Sequence, residues 1–229
     1  MVTAKAHAVA DRDIGDGELR AWVAAGACVS LRNCNLEGLT LAGLDMSGWS
    51  FDGCRLGHVD LRGAMLEGAH FLACRGAFAD FSGADLGDVE FSGSDFNNAR
   101  FVDARASDTR FVGCKLTGAD LTRTRSLGIS FKETILSAAR LAGLSFRNAR
   151  LEKLDFGMAD LTGCDFRNAV FDGCSLKDAA LVDARFEGAD LRSADLGGLR
   201  LIDAKKFKGA TISREQAGLL LAELGVKVR

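Results

Sequence analysis

Between residues 81 and 101 the sequence reads FSGADLGDVEFSGSDFNNARF, with Phe81, Leu86, Phe91, Phe96 and Phe101 five apart. An α-helix returns to one face about every 3.6 residues and a strand every second residue, so a five-residue period belongs to neither. The period runs far beyond this stretch. Of the 35 positions from 31 to 201 whose number ends in 1 or 6, 31 are Leu or Phe; the exceptions are Met46, Gly76, Ala106 and Ser126. Two residues before each stands a smaller one, most often Ala, as in Ala64, Ala69 and Ala79. Asp often lies between the two (Ala84-Asp85-Leu86, Ala119-Asp120-Leu121), and sixteen glycines follow the large residue by two, Gly83 and Gly118 among them. Each five-residue unit therefore turns one large and one small side chain inward and three outward. The glycine marks a tight turn with unusual dihedrals.

One such unit buries too little to stand alone and must stack on copies of itself. A second period gives the number of sides. Phe51, Phe71, Phe91, Phe111, Phe131 and Phe171 are separated by multiples of twenty, and so are Cys34, Cys54, Cys74, Cys114 and Cys174. Four five-residue sides per coil put each set in one vertical column. The expected fold is an all-β, four-sided solenoid with a phenylalanine stack along one inner face and a thiol column near another. At about 4.8 Å per coil, the 35 units predict a rod roughly 42 Å long.

The repeated A-D-L-x-x pattern resembles that of the pentapeptide-repeat proteins, over about three-quarters of the chain. The resemblance implies a right-handed quadrilateral β-helix. Composition is consistent with it: the chain has no Pro, as suits a backbone whose amides are committed to ladders. The net charge is −2, so no global field drives binding to nucleic acid or membrane, and neither is expected as a partner. There is no N-terminal signal-peptide pattern and no apolar run of membrane-spanning length, and a cytoplasmic protein is expected. Six of the seven cysteines occupy inward repeat positions and read as core thiols rather than disulfide partners.

The ends read as caps, which an open β-helix needs to cover its strand edges. Residues 1–30 are assigned to a tail and a capping helix, 31–204 to the repeat, and 205–229 to a C-terminal cap and dimerisation segment. Residues 1–12 read as a loose tail. Asp16 is placed to cap a helix through Ala25, with Leu19, Trp22 and Val23 on one face and Gly26 as its stop. The oversized small-position residues Leu39, Leu44 and Trp49 suggest an end coil packed against that helix. Near the other end the register slips by one at Lys205-Lys206 and resumes with Phe207 and Ile212. Ser213 and Gln216 make a capping-box pattern, followed by the helical stripe Ala217, Leu220, Leu221 and Leu224 and by Gly225.

The ending GLLLAELGVKV is similar to the C-terminal segment of the quinolone-resistance pentapeptide proteins, through Leu220, Leu221, Leu224, Gly225, Val226 and Val228. In that group the segment caps the solenoid and pairs two subunits end to end, and the dimer mimics B-form DNA to bind DNA gyrase or topoisomerase IV. The resemblance implies a homodimer through Ala217, Leu220, Leu221, Leu224, Val226 and Val228. Two rods end to end would span roughly 80–90 Å at the coil spacing, about 25 base pairs of duplex. Many members carry loops that interrupt the helix and act on the topoisomerase, whereas here the register runs from 31 to 201 without an insertion.

Catalysis has no support. His58 and His70 fall at outward positions and the repeat cysteines inward, and there is no phosphate loop, zinc-type spacing or nucleophile elbow. No catalytic, cofactor or metal site is expected. The surface charge is segregated instead: residues 1–99 carry 14 acids and 7 bases, residues 100–153 carry 5 and 11, and residues 154–229 carry 12 and 11. Asp80, Asp85, Asp88, Glu90 and Asp95 form an acidic girdle, and Arg100, Arg105, Arg110 and Lys115 a basic one on the next coil. The acidic girdle reads either as a phosphate mimic for a DNA-binding saddle or as the repeat's own Asp. The basic girdle reads as a seat for an acidic partner or as charge that balances its neighbour; it lacks exposed aromatics for base stacking. Two expectations therefore compete for function: a DNA-mimicking binder of a type II topoisomerase, and a scaffold or adaptor presenting its faces to another protein in regulation or secretion. At Ala106 and Ser126, twenty apart, the missing large residues predict either a dent that bends the rod or admits a partner's side chain, or a small local shift with Leu127 turned inward.

Overall fold

The five-residue rule is obeyed at the level of burial. In the computed structural model, which describes residues 7–198, 204–223 and 225–227, every position ending in 1 or 6 from Leu31 to Leu196 is buried except Ser126. Two residues after each large one the backbone enters the left-handed region, at every corner from Asn33 to Gly188: φ is 68° at Gly83, 56° at Asn98 and 60° at Phe78. Glycine is favoured there because it carries no Cβ penalty. At many corners the preceding Asp adds a local bond. Its Oδ1 accepts the N–H two residues on, as Asp80 does from Ser82 (2.9 Å) and Asp160 from Thr162 (3.0 Å).

The four corners of a coil are not equivalent. Three close with the small residue's N–H donating to the large residue's carbonyl, as from Val59 to Leu56 (3.2 Å), Ala64 to Leu61 (3.1 Å) and Ala69 to Leu66 (2.8 Å). The corners after Phe51, Phe71, Phe91 and Phe111 close without that bond, and those four residues lie in three-residue strands. The small inward residue at those corners is polar. Cys74 Sγ donates to the Phe51 carbonyl one coil back (3.3 Å), Ser94 Oγ to Phe71 (3.1 Å), Cys114 Sγ to Phe91 (3.3 Å) and Thr134 Oγ1 to Phe111 (3.2 Å). The column therefore favours Cys, Ser or Thr over Ala, because only these donate a hydrogen bond from the inward position.

The chain divides into two compact units, at Thr134 and Ile135. In the first, β1 (His7–Ala10), β2 (Val29–Arg32), β3 (Ser50–Asp52), β4 (His70–Leu72), β5 (Glu90–Ser92), β6 (Arg110–Val112) and β7 (Ser130–Lys132) pair in parallel, each with the next. From β2 onward the register is twenty residues, with Phe51 on Phe71 and Phe91 on Phe111. The rings stack at 4.7 Å (Phe51–Phe71), 4.8 Å (Phe71–Phe91), 4.7 Å (Phe91–Phe111) and 5.2 Å (Phe111–Phe131). A second stack joins Phe81 to Phe101 at 5.0 Å, edge-on to the first. The second unit holds β8 (Arg150–Glu152) and β9 (Val170–Asp172), paired in parallel. It has its own ring stack, Phe146–Phe166–Phe186–Phe207, at 5.0, 4.9 and 5.0 Å. All seven cysteines are free thiols.

The N-terminal end differs from the sequence reading. Residues 7–10 are not tail but β1, with Val9 opposite Leu31. Val9, Ile14 and Leu19 continue the spacing of five with the phase moved by two residues, and Ile14 and Leu19 are buried. The helix α1 runs Asp16–Ala24; its N-cap is Gly15, without a side-chain cap, and Asp16 instead pairs with Arg20 (3.0 Å) inside the first turn. Gly26, at φ 61°, ends it as expected. Trp49 fills the end of the first coil: its Nε1 donates to the Ala27 carbonyl (3.0 Å) and its ring lies 6.5 Å from that of Trp22.

At the C-terminal end the one-residue slip is present: Phe186 stacks on Phe207 and Asp190 bridges Thr211. A short 3-10 turn, Ala204–Phe207, lies in this stretch. The capping box closes the start of α2 (Arg214–Glu223), with Ser213 N–H on Gln216 Oε1 (2.6 Å) and Gln216 N–H on Ser213 Oγ (3.1 Å). Ala106 is buried and Ser126 half-buried, but Leu127 does not turn inward; it is 82% exposed. Leu127 follows the residue at the large position, a place that is outward at nearly every unit, Val102 being a buried exception.

Candidate functional site

The outward residues of each coil are the only side chains free of stacking duties, so the candidate site is a surface. The two girdles lie directly on one another. The twenty-residue register puts Asp80 beside Arg100 and Asp85 beside Arg105 as backbone bridge partners, and Glu90 beside Arg110 within the β5–β6 ladder. Their side chains meet: Arg105 to Asp85 at 2.6 Å, Arg110 to Glu90 at 3.4 Å and Arg100 to Asp80 at 3.7 Å. Asp95 and Lys115 are bridge partners too, but Asp95 accepts instead from the Asn97 N–H (3.2 Å). Asp88 is exposed at a corner with φ 56°. Three of the five acids thus face an arginine. Exposed pairs of this kind are worth about 0–1 kcal/mol each, so their main effect is to cancel the local field of the acidic row.

Further arginine pairs recur at the same lag. Arg123 clasps Asp103 with two bonds of 2.8 Å and holds its carboxyl below the usual carboxylate range. Asp165 is mostly buried and accepts from Arg167 (2.9 and 2.7 Å) and from Arg185 (3.0 Å). Its carboxyl is held low, chiefly by the Arg167 hydrogen bond.

Among the C-terminal candidates Leu220 is buried, Ala217 and Leu221 are half-buried, and Val226 is 49% exposed. Leu224 and Val228 lie outside the described residues. Gln216 does what the sequence did not reveal: its Nε2 donates to the carbonyls of Leu191 (2.7 Å) and Ala194 (2.6 Å), pinning α2 to the last coil. Leu219, three residues on from Gln216 and near the same side of the helix, is 65% exposed. An open cleft of about 610 Å³ runs between Asp195, Leu196 and Gly197 on the coil and Leu219 and Ala222 on α2.

The thiol column is sealed. Cys34, Cys54, Cys74, Cys114, Cys164 and Cys174 are buried. Burial pushes the Cys164 thiol up to about 12, and the bond shared with Cys54, followed by burial, raises that of Cys74. These groups are chemically quiet. Among the described residues no group of three or more His, Cys, Asp or Glu side chains is placed to hold a metal ion, and no helix is long and apolar enough to cross a membrane. Two exposed histidines meet an aromatic ring: His7 lies 5.0 Å from Trp22, tilted, and His58 stacks on Phe78 at 5.0 Å.

Family models agree with this geometry. A model of the pentapeptide repeat region matches residues 27–101, a model of eight pentapeptide repeats matches 84–123, and a model of nine matches 136–180 and 146–214. No curated protein sequence matches the chain. Among solved structures, full-length QnrB1, a plasmid-mediated fluoroquinolone resistance protein, is similar at a TM-score of 0.75 and 23% identity, over 86% of this chain and 100% of that one. HetL, a pentapeptide repeat protein involved in heterocyst differentiation regulation from the cyanobacterium Nostoc sp. strain PCC 7120, is similar at 0.68 and 23%, over 86% of this chain and 94% of that one. At these identities the likeness is one of fold.

Proposed function

This chain belongs to the pentapeptide-repeat family, and on that premise we propose that it is a non-catalytic protein-binding solenoid whose target is a bacterial type II topoisomerase. The observation that carries the binding reading is the division of labour in the repeat. Backbone amides and inward side chains are taken up by coil stacking, and the variable chemistry stands outward on a regular lattice. Such a surface suits recognition of a macromolecule rather than a reaction. The likeness in fold to a fluoroquinolone resistance protein supports the topoisomerase as target, and the exposed Leu219 and Val226 beside a pinned terminal helix support a homodimer through that end. Seven free thiols, six of them buried, fit a cytoplasmic protein.

A second reading, an adaptor unrelated to topoisomerases, is favoured by the girdles. Arg100, Arg105 and Arg110 cancel carboxylates that a DNA mimic would leave bare, so mimicry here has to rest on acids such as Asp88 and Asp95. The two readings separate in a supercoiling assay of DNA gyrase with and without a fluoroquinolone. The topoisomerase reading expects the protein to restore supercoiling in the presence of the drug or to inhibit it in its absence. No change in either arm at a large molar excess of protein leaves the adaptor.

A further inference from the structure

Most outward positions of the first unit are polar, charged or glycine, but one run is not. From residue 72 to 78 the outward side chains are Leu72, Ala73, Arg75, Ala77 and Phe78. Leu72 is 49% exposed and Phe78 52%. The coil after it presents Ser92, Gly93, Asp95, Asn97 and Asn98 at the same places, and the coil before it Asp52, Gly53, Arg55, Gly57 and His58. An apolar belt with a single cation is therefore a local departure from the pattern of its own repeat.

Phe78 is also strained. It holds φ 60° at a corner where glycine is the commonest residue, and His58 beneath it holds 55°. A bulky residue in the left-handed region is disfavoured, because its Cβ crowds the backbone there. The two rings lie almost parallel, 3° apart, and form an exposed aromatic shelf whose floor beside it is only Gly57 and Ala77. No interior contact repays this placement, since both side chains point to solvent.

Arg75 opens the five-residue side that Phe78 closes. Arg55, one coil back, is held by Glu37 at 2.5 Å, and Arg100, Arg105 and Arg110 are each held by an acid. Arg75 is exposed and forms no ion pair among the described residues. A free guanidinium next to a flat aromatic shelf has the chemistry to take a carboxylate and an apolar ring together. The backbone of this side is already laddered to the coils on both sides, with Arg75 N–H on the Cys54 carbonyl and Phe78 N–H on that of Asn97 (both 2.9 Å), so strand addition is closed and recognition must use side chains.

We infer that the belt Leu72–Phe78 is a docking site for an acidic peptide segment of a protein partner, with an aromatic residue of that segment on the Phe78–His58 shelf and a neighbouring carboxylate on Arg75. A polyanion such as single-stranded nucleic acid fits worse, because the belt carries a single cation, Arg75, whose backbone bridge partner on the next coil is Asp95. The inference deepens the protein-binding reading but does not depend on a topoisomerase being the target. The supercoiling assay bears on the target alone, and the measurement below bears on the belt alone.

The test is a fluorescence titration of the full chain with a labelled peptide of Gly and Ser carrying a central Asp-Trp-Asp. The comparison probes are the same peptide with Lys for Asp and a twelve-nucleotide oligothymidylate. The expected result is saturable binding of the acidic peptide, weakened at least tenfold by Phe78→Gly and by Arg75→Glu, and at least tenfold weaker for the Lys peptide. Phe78→Gly places at the corner the residue its φ prefers, so its melting temperature should hold or rise while binding falls. Absence of binding, equal binding by Phe78→Gly, or tighter binding of the oligonucleotide overturns the assignment.

Discussion

A β-carbon built on Gly76 would stand 2.1 Å from a ring carbon of Phe96, one coil further along the chain. Gly76 occupies a large inward position, and Phe96 leans into the volume left there, edge-on to Phe71 (5.9 Å) and to Phe91 (5.2 Å). Restoring the repeat's own residue should therefore do harm. Gly76→Leu is expected to lose about 1–3 kcal/mol by overpacking, read as a lower denaturant midpoint. A midpoint equal to or above that of the wild type would mean that the two positions do not share one volume.

Phe91 is held between Phe71 and Phe111 and meets Phe81, Phe96 and Phe101 by their edges. Phe91→Ala should cost about 3–5 kcal/mol. An unchanged melting curve would remove the ring column as a source of stability.

In the native protein a bulky maleimide should label Cys28, the half-buried thiol, and reach the remaining six only after denaturation. Rapid labelling of Cys54, Cys74 or Cys114 in the folded state would contradict the inward register.

Asp165 titrates below its ordinary value because Arg167, and after it Arg185, favour the charged form against the opposing effect of burial. With the folded pKa below the unfolded one, its stabilisation is complete above about pH 4 and disappears as pH falls through the folded value. Asp165→Asn should cost about 1–3 kcal/mol at pH 7. The gap between variant and wild type should narrow as the medium is acidified below pH about 4; a gap independent of pH would show that the charge is not what matters.

Leu219 and Val226 are exposed at the end that Gln216 pins, so Leu219→Arg should leave the coil intact and yield a monomer by light scattering where the wild type is a dimer. A wild-type monomer at micromolar concentration would remove the dimer from the proposed function.

The interior was legible in the sequence because one rule, obeyed at nearly every position, decides which side chains are inside. The same rule at a lag of twenty also foretells the girdle contacts, since Asp85 and Arg105 can only be neighbours if coils have four sides. What escaped lies where the phase moves. Val9, Ile14 and Leu19 keep the spacing of five but are displaced by two residues, so β1 was hidden among residues read as tail. Leu127 misled for the opposite reason: hydrophobicity suggested the inside, but the repeat geometry assigns that place to solvent. The aromatic shelf was hidden because exposure of Phe78 depends on its corner, and composition does not report corners.

The unlike fourth corner, where Cys74 reaches the Phe51 carbonyl and no turn bond closes, has a genetic consequence. Losing five residues from the gene would keep every Leu and Phe inside but rotate all later corners by a quarter, setting alanines where most of that column's thiols and hydroxyls stand. Losing or duplicating twenty would return each corner to its own kind. A protein built this way can change length in whole coils, and its lineage should record additions and losses in multiples of sixty nucleotides.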